Sequence, residues 1–220
     1  VYNFCMCGRY TFFNNIDSVK SFFDIDVIDS SIVDHQPSYN ISPTQYAPII
    51  FQDNTNRVLR NMRWGLVPSW SKDDRFASKL INARSETIHE KPSFKNLIST
   101  NRCIVLANGY YEWVYTDNKK QPYFIYSTEN RLISMAGLWT EWESIATFTI
   151  ITKKSDQSIS HLHHRMPLVI PNENVDSYLD NRNLLKDFIQ IDDIKLNSHQ
   201  VSTFVNSARN NSVNCIDPIE

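Results

Sequence analysis

Hydrophobic residues recur along this chain at two spacings, one typical of helices and one typical of strands. Ile16, Val19, Phe22 and Phe23 follow the spacing of one helical face, and Asn15 precedes them as a residue able to cap a helix. Similar spacing predicts helices over 83–90, 93–100, 172–179 and 184–189. The segment 37–48 is rich in turn formers and is predicted as a loop, and 64–70 as an irregular aromatic segment.

Short apolar runs rich in β-branched and aromatic residues predict strands over much of the remaining chain. The predicted strands are 8–13, 47–52, 57–62, 103–115, 123–127, 132–142, 147–152, 167–170 and 200–205. Residues 53–56 read as a hairpin turn, and the runs after 103 are joined by short polar connections, as in an antiparallel meander. The pattern predicts an α+β fold with a curved, largely antiparallel sheet or barrel and flanking helices. No linker-like break divides residues 1–220, so we expect a single domain.

Composition narrows the possible classes of function. Four glycines among 220 residues and the lack of a glycine-rich motif argue against a phosphate-binding loop. A net charge of −2 argues against coating duplex DNA by charge alone, although it allows a local basic cleft. No run is apolar enough for a membrane helix, and we expect no signal peptide. Four irregularly spaced cysteines favour reduced thiols in an intracellular protein.

Residues able to carry chemistry fall in four short clusters. A thiol, a histidine and a carboxylate are the parts of a nucleophilic site, and asparagine and arginine side chains suit an anionic substrate. The clusters are Cys7-Gly8-Arg9, Asn82-Ala83-Arg84-Ser85-Glu86, Asn108-Gly109-Tyr110-Tyr111-Glu112-Trp113 and His161-Leu162-His163-His164-Arg165-Met166-Pro167.

Each cluster also has an ordinary structural interpretation. Glu112 fits an alternating strand and can simply face solvent, and the histidines can belong to a solvated loop. Tryptophans are more often core residues than ligand platforms. A zinc site would need about four ligands at spacings such as CxxC, which this chain lacks, so we predict no metal. The residues alone leave these alternatives open.

Taken in order, several motifs make the chain resemble the SRAP family, the SOS-response-associated peptidases. The resemblance runs nearly end to end. The motifs are Met6-Cys7-Gly8-Arg9-Tyr10, Tyr39-Asn40-Ile41-Ser42-Pro43-Thr44-Gln45, Arg63-Trp64-Gly65-Leu66-Val67-Pro68-Ser69-Trp70, Asn82-Ala83-Arg84-Ser85-Glu86-Thr87, Arg102-Cys103, Gly109-Tyr110-Tyr111-Glu112-Trp113 and His163-His164-Arg165-Met166-Pro167.

The resemblance implies a protein that senses abasic sites in single-stranded DNA and forms a covalent crosslink with them. In that chemistry the α-amine of an N-terminal cysteine attacks the aldehyde of the opened sugar, and the thiol then closes a thiazolidine ring. By motif position, Cys7 is the nucleophile and Glu112 is the acid/base. His163 is the second proton-transfer group, and Asn82 holds the cysteine backbone and the opened sugar. An autopeptidase activity is a further implication.

The same resemblance implies a DNA-binding set. Arg9, Arg84 and Arg165 would bind phosphates beside the lesion. Exposed bases would meet side chains that stack or wedge, and the candidates are Trp64, Trp70 and Pro43. Asn40 is a further DNA-binding candidate. The implied partner is single-stranded DNA with abasic sites, with no cofactor, metal or membrane. We expect a monomer in the cytoplasm, associated with the nucleoid when it is bound to DNA.

The position of Met6 decides whether Cys7 can act in this way. Removal of Met6 would leave Cys7 with a free amine, whereas residues 1–5 block it in the sequence as written. We expect residues 1–5 to be a misassigned start or, less readily, a propeptide removed by self-cleavage.

Two rival functions remain. One is a Cys/His/Glu thiol hydrolase that acts on peptides or amides through an internal Cys7, and the other is a non-covalent module for single-stranded DNA. Substitution of Cys7 by serine separates them from the crosslinking function.

Overall fold

The computed structural model describes residues 8–116, 119–129, 132–191 and 194–219, and it is built mostly of strands. In chain order the strands are β1 (Tyr10–Phe12), β2 (Val27–Ile28), β3 (Ser38–Ile41), β4 (Tyr46–Asp53), β5 (Asn56–Trp64), β6 (Asn82–Arg84), β7 (Arg102–Ala107), β8 (Gly109–Thr116), β9 (Lys119–Ser127), β10 (Ile133–Trp142), β11 (Ile145–Lys154), β12 (Arg165–Pro167) and β13 (Leu196–Gln200).

The strands form two sheets. The first sheet has the order β13-β9-β8-β1-β3, and all of its pairings are antiparallel. The second has the order β12-β11-β10-β7-β4-β5-β2. Its strands β5 and β11 also pair in parallel, which closes β11, β10, β7, β4 and β5 into a barrel. The prediction of a curved, largely antiparallel sheet or barrel is therefore confirmed.

The α-helices are short and lie outside the sheets: α1 (Ile16–Phe22), α2 (Val175–Leu179) and α3 (Leu185–Ile189). Asn15 caps α1 as predicted, since its side chain accepts from the backbone N–H of Asp17 at 2.7 Å. Val19 and Phe23 are buried, but Phe22 is exposed. Short 3-10 turns cover Ser30–Ile32, Leu97–Ser99, Asn172–Asn174, Thr203–Asn206 and Val213–Cys215. No helix in the described ranges is long and apolar enough to cross a membrane.

Two hydrophobic clusters lie on opposite faces of the first sheet. The main core joins the inner face of that sheet, including Tyr10 and Tyr110, to the barrel. A smaller cluster covers the outer face, where Tyr111 packs with Val205 and Cys215. Neighbouring residues of one strand thus enter different cores, because side chains alternate across a sheet.

Several predicted elements are wrong or displaced. The helix predicted over 83–90 is absent because the sequence from Asn82 to Arg84 pairs with β11 as a strand, and turns follow it. Only a 3-10 turn occurs within 93–100, and the predicted loop 37–48 contains β3. The last strand is 196–200 rather than 200–205. In each segment, the presence or absence of a distant partner strand decided the secondary structure, and this outweighed the local helix or strand propensity. The predicted strand 103–115 is divided at Asn108, where the chain passes from one sheet to the other.

Candidate active site and nucleic-acid interface

The first and third sequence clusters meet in the first sheet. Tyr10 pairs with Tyr110, and the backbone N–H of Tyr111 donates to the carbonyl of Arg9 at 2.9 Å. Glu112 follows on the same strand and is only 3% exposed. By alternation it shares the inner face with Tyr110, so Glu112 faces inward and not toward solvent. The sheet therefore places a buried carboxylate beside the strand that begins three residues after Cys7.

The second and fourth clusters meet on either side of β11. Thr152 of that strand pairs with Arg84 of β6 on one side and with Pro167 of β12 on the other. Residues in one cross-strand row, and those two positions along each strand, share a face. Asn82, Arg84, Thr152 and Arg165 consequently project from the same face of the second sheet.

Trp64 connects these two halves of the site. Its indole N–H donates to the carbonyl of Ile81, which directly precedes Asn82, at 3.0 Å. Its ring meets Tyr10 edge-on, with the two centroids 5.0 Å apart. Trp64 is fully buried and part of the main core, which favours the core interpretation of this residue over base stacking. Burial suits its role, because an enclosed indole fixes the spacing between the two sheets.

Gly65 allows the chain to turn away directly after Trp64. Its φ of +116° lies in the region that favours glycine, and an added Cβ would lie 2.1 Å from the carbonyl oxygen of Ala77. The backbone N–H of Gly65 donates to Phe148 of β11 at 2.8 Å. This close approach brings the segment 65–81 back along the barrel, and it leads into β6 and Asn82.

His163 lies in the turn that precedes β12. Its Nδ1 accepts from the backbone N–H of Arg165 at 3.1 Å, and its ring stacks on His164 with centroids 4.4 Å apart. Burial lowers the pKa of His163, the contact with the Arg165 backbone partly offsets this, and the nearby charges of His164 and Arg165 lower the pKa further. His163 is therefore neutral near pH 7. A longer contact of 3.3 Å joins Nδ1 to the Arg165 carbonyl. Since the backbone N–H can only donate, Nδ1 is the acceptor and the ring proton lies on Nε2.

Arg165 is not a free surface cation. Its guanidinium forms a two-point ion pair with Glu86, through Nη1 to Oε1 and through Nη2 to Oε2 at 2.9 Å. Nη2 also donates to the Thr152 carbonyl at 2.8 Å and to Thr152 Oγ1 at 3.2 Å. The pair lowers the pKa of the Glu86 carboxyl. Arg165 thus holds a carboxylate where the sequence predicted a phosphate.

Arg9 and Asn40 serve the outer face of the first sheet. Arg9 Nη1 donates to Asn40 Oδ1 at 2.6 Å and to the Val205 carbonyl at 3.0 Å. The buried Asn40 amide donates to the carbonyls of Val205, Ser207 and Asn210 at 3.2, 3.0 and 2.6 Å. Burial lowers the pKa of Arg9. Both side chains tie the C-terminal segment to the N-terminal strand, on the face opposite Glu112.

Arg84, Pro43 and Trp70 are accessible. Arg84 is exposed and makes no ion pair with another described residue. Pro43 is partly exposed, and the next residue, Thr44, donates its N–H to the carbonyl of Trp64 at 2.8 Å. Trp70 is 60% exposed and packs edge-on against Phe76 at 5.7 Å.

A surface depression of about 400 Å³ lies beside Trp70, and its lining includes Phe76, Lys72, Arg75 and Lys79. Arg75 pairs with Asp73 at 2.7 Å. Lys72 and Lys79 are exposed and pair with no carboxylate in the described ranges. An aromatic side chain beside free cations suits a nucleobase next to a phosphate.

Cys7 lies outside the described residues, so its proposed role stays a prediction. Cys103 and Cys215 are buried free thiols, and burial raises the pKa of Cys103 well above its ordinary value. In the described part of the chain, no group of three or more His, Cys, Asp or Glu side chains is arranged to hold a metal ion.

Comparison with known proteins identifies the family. The sequence model for "SOS response associated peptidase (SRAP)" matches residues 6–208. The chain belongs to the SRAP family. Among relatives of this SRAP protein, abasic site processing protein YoqW of Bacillus subtilis is 38% identical over 223 residues, with 96% of this chain and 99% of the relative covered. Abasic site processing protein HMCES of Gallus gallus is 37% identical over 228 residues, with 84% and 67% covered.

A solved structure supports the fold of this SRAP protein. A protein from Bacteroides thetaiotaomicron superposes with a TM-score of 0.85 at 23% identity, with 97% of this chain and 100% of that chain covered. At that identity the likeness concerns the fold alone.

Sequence reasoning missed two parts of the site. Thr152 received no role, because nothing in its sequence context shows that Arg84 and Pro167 pair on either side of it. Glu86 was part of a motif, but its partner Arg165 is 79 residues away in sequence. Only the pairing of β6, β11 and β12 brings the two side chains together.

Proposed function

We propose that this SRAP protein binds single-stranded DNA and forms a thiazolidine crosslink with an abasic site through Cys7. The observation that carries the proposal is the link that Trp64 makes between the two sheets. One sheet face bears Asn82, Arg84 and Arg165, and the backbone N–H of Arg165 donates to His163. Trp64 joins that face to the strand that follows Cys7. The family and the names of its relatives favour abasic-site chemistry over other uses of such a site.

The chemistry depends on a cysteine with a free amine. The open form of an abasic deoxyribose carries an aldehyde, which the amine attacks to give a carbinolamine. Loss of water gives an imine, and the Cys7 thiol then adds to the imine carbon while the thiol proton passes to the nitrogen, which closes the ring. One aldehyde and one aminothiol thus yield one thiazolidine and one water. An α-amine is roughly a tenth to a fifth unprotonated at pH 7, so it needs little activation.

The surrounding residues supply proton transfers. Glu112 lies on the inner face of its sheet, where a carboxyl group is shielded from water and suits proton transfer during sugar opening and dehydration. His163 presents a neutral ring with its proton on Nε2, which suits a hydrogen bond to a sugar oxygen, whereas proton transfer to that oxygen would use the imidazolium form. Asn82 is the candidate to bind the Cys7 backbone and the opened sugar.

The DNA strand would follow the accessible cations and aromatics. Arg84 is the phosphate ligand nearest Asn82, and Lys72 and Lys79 extend the cationic surface. Trp70 is the base-stacking residue, and Pro43 is the candidate wedge. With about three or four phosphates contacted, log K against log salt should have a slope of about −2 to −3 for a single strand.

Intact mass spectrometry with an abasic oligonucleotide tests the proposal. Protein made from Met6, with the methionine removed, should gain the mass of the DNA minus one water and survive denaturation. Cys7→Ser in the same protein keeps the amine but lacks the thiol, so its adduct should be stable only after borohydride reduction. Equal crosslinking by a mass-verified protein that still begins at Val1 would overturn the ring chemistry. Peptide or amide hydrolysis by that form would favour a thiol hydrolase.

A further inference from the structure

The ion pair between Glu86 and Arg165 joins an accessible carboxylate to a fixed guanidinium. The Glu86 side chain is 51% exposed, whereas that of Arg165 is 10% exposed. Arg165 keeps two hydrogen bonds to Thr152 that do not involve Glu86. The guanidinium would therefore stay in position if the carboxylate left it. The half-exposed Glu86 side chain would also give up hydrogen bonds to Ser85 and to its own backbone when it turns toward solvent.

The position of this pair matters because Arg165 shares its sheet face with Arg84. Arg84 has no carboxylate partner in the described ranges, whereas the cation of Arg165 is already neutralised. A two-point contact between guanidinium and carboxylate has the same geometry as a two-point contact between guanidinium and phosphate. Glu86 thus occupies an anion site on the face that also bears the exposed guanidinium of Arg84.

We infer that Glu86 is an internal competitor for the backbone phosphate at Arg165 and so limits affinity for single-stranded DNA. A phosphate that binds there displaces the carboxylate, which then lies in solvent near a second negative charge. Each binding event at Arg165 exchanges one anion for another, so it yields less net counterion release than binding at Arg84. Glu86 would thus act as a specificity-determining residue and not as a catalytic residue.

The consequence is selectivity by position. A DNA strand that is held in the correct register by Arg84 and by its abasic site can displace Glu86 from Arg165. A DNA strand that is bound by charge alone gains little binding free energy from Arg165. Glu86 therefore weakens binding to undamaged DNA more than binding to the abasic substrate. This inference rests on the proposed DNA-binding function.

Fluorescence anisotropy with an undamaged single-stranded oligonucleotide tests the inference across roughly 50 to 200 mM salt. Glu86→Gln should bind up to about fivefold more tightly at low salt, the range expected for removal of one half-exposed ion pair. Its slope of log K against log salt should be steeper by up to about 0.7, the single-strand value for one further phosphate. The ratio of the affinity of Glu86→Gln to that of the natural protein should therefore increase by up to about 2.6-fold when the salt concentration is lowered from roughly 200 to 50 mM.

Three variants serve as controls. Glu90→Gln removes one exposed negative charge from the same segment without touching Arg165, so it reports the general effect of charge. Arg84→Gln should make the slope shallower by about 0.7. Glu86→Asp keeps the negative charge but shortens the side chain, so it should show part of the increase in DNA affinity expected for Glu86→Gln. Thermal unfolding of each variant identifies any that is misfolded, and Glu86→Asp then takes the place of Glu86→Gln.

The outcomes are distinct. A slope and an affinity for Glu86→Gln equal to those of Glu90→Gln would overturn the inference and leave the proposed function intact. Weaker binding by Glu86→Gln would also overturn it, because Glu86 would then support the site. If the natural protein fails to bind single-stranded DNA at any salt concentration, the proposed function fails, and the inference fails with it.

Discussion

The two tryptophans of one motif should respond to substitution in opposite ways. Trp64 is fully buried, and its indole N–H donates to the Ile81 carbonyl at 3.0 Å. Trp70 is 60% exposed beside the cationic depression. We therefore expect Trp64→Phe to lower the stability of the fold and Trp70→Ala to lower DNA affinity.

The size of the first effect follows from the contacts of Trp64. Replacement by phenylalanine leaves a cavity of roughly 40 Å³, which costs about 1 kcal/mol. The lost hydrogen bond costs about another 1 kcal/mol. The Ile81 carbonyl keeps a second donor, the backbone N–H of Ile150 at 3.1 Å, which limits that loss. The free energy of unfolding should fall by about 2 kcal/mol.

The second effect concerns only the bound state. Base stacking on an aromatic side chain is worth about 1 to 3 kcal/mol per base, so Trp70→Ala should weaken binding of single-stranded DNA by at least about fivefold. An exposed residue of this kind should change the free energy of unfolding by no more than about 0.5 kcal/mol.

Urea unfolding and fluorescence anisotropy on both variants separate the two effects. Trp64→Phe should retain DNA affinity within about twofold at temperatures where it is fully folded, since only a folded protein presents the binding surface. Unchanged stability of Trp64→Phe would refute its assignment to the core. Unchanged affinity of Trp70→Ala would refute the stacking role.

Three further predictions concern other parts of the chain. Arg102 is buried and donates to the carbonyls of Ile98, Tyr178 and Asn183 at 2.8, 3.2 and 2.5 Å, so Arg102→Met should lower the free energy of unfolding by about 3 kcal/mol in urea titrations. Glu112→Gln should slow crosslinking by about 10² or more in time courses on denaturing gels, while affinity for undamaged DNA stays unchanged. The pKa of His163 is lowered from its ordinary 6.5, so its contributions to stability and to crosslinking rate are fully present above pH 6.5. Both contributions should be lost as the pH falls below 6.5 toward the lowered pKa. The crosslinking rate of the natural protein should therefore decrease on the acidic side of its pH profile. The same decrease should be absent from the profile of His163→Ala, and an unchanged decrease in that variant would contradict this reasoning.

Much of the strand content could be predicted from local pattern alone. The hairpin of β4 and β5 has apolar runs on both sides of polar residues, and Asn54 takes a positive φ of 53° at its turn. The cap at Asn15 was equally local, because its partner is two residues away. Such elements depend on contacts within a few residues, which the order of amino acids specifies directly.

The helix predicted over 83–90 failed because the decisive interactions are distant. Asn82 to Arg84 pair with β11 about 68 residues later, as in the match of Asn82 with Ile150. A local sequence pattern contains no information about a partner strand that is brought into contact only when the barrel closes. The same limit applied to Trp64 and Trp70, since burial depends on which segments pack over a side chain.

The order of amino acids specifies which reactive groups this protein carries. Its ordered motifs indicated the SRAP family, and they supplied the thiol, the carboxylate, the imidazole and the amide. Which of its arginine side chains lack a partner depends on the fold. Arg9 and Arg165 are held by Asn40 and Glu86, whereas Arg84 is exposed. The reason is physical: the identity of a side chain is fixed by the sequence, but its burial and its ion pairs depend on neighbours that strand pairing brings from far along the chain.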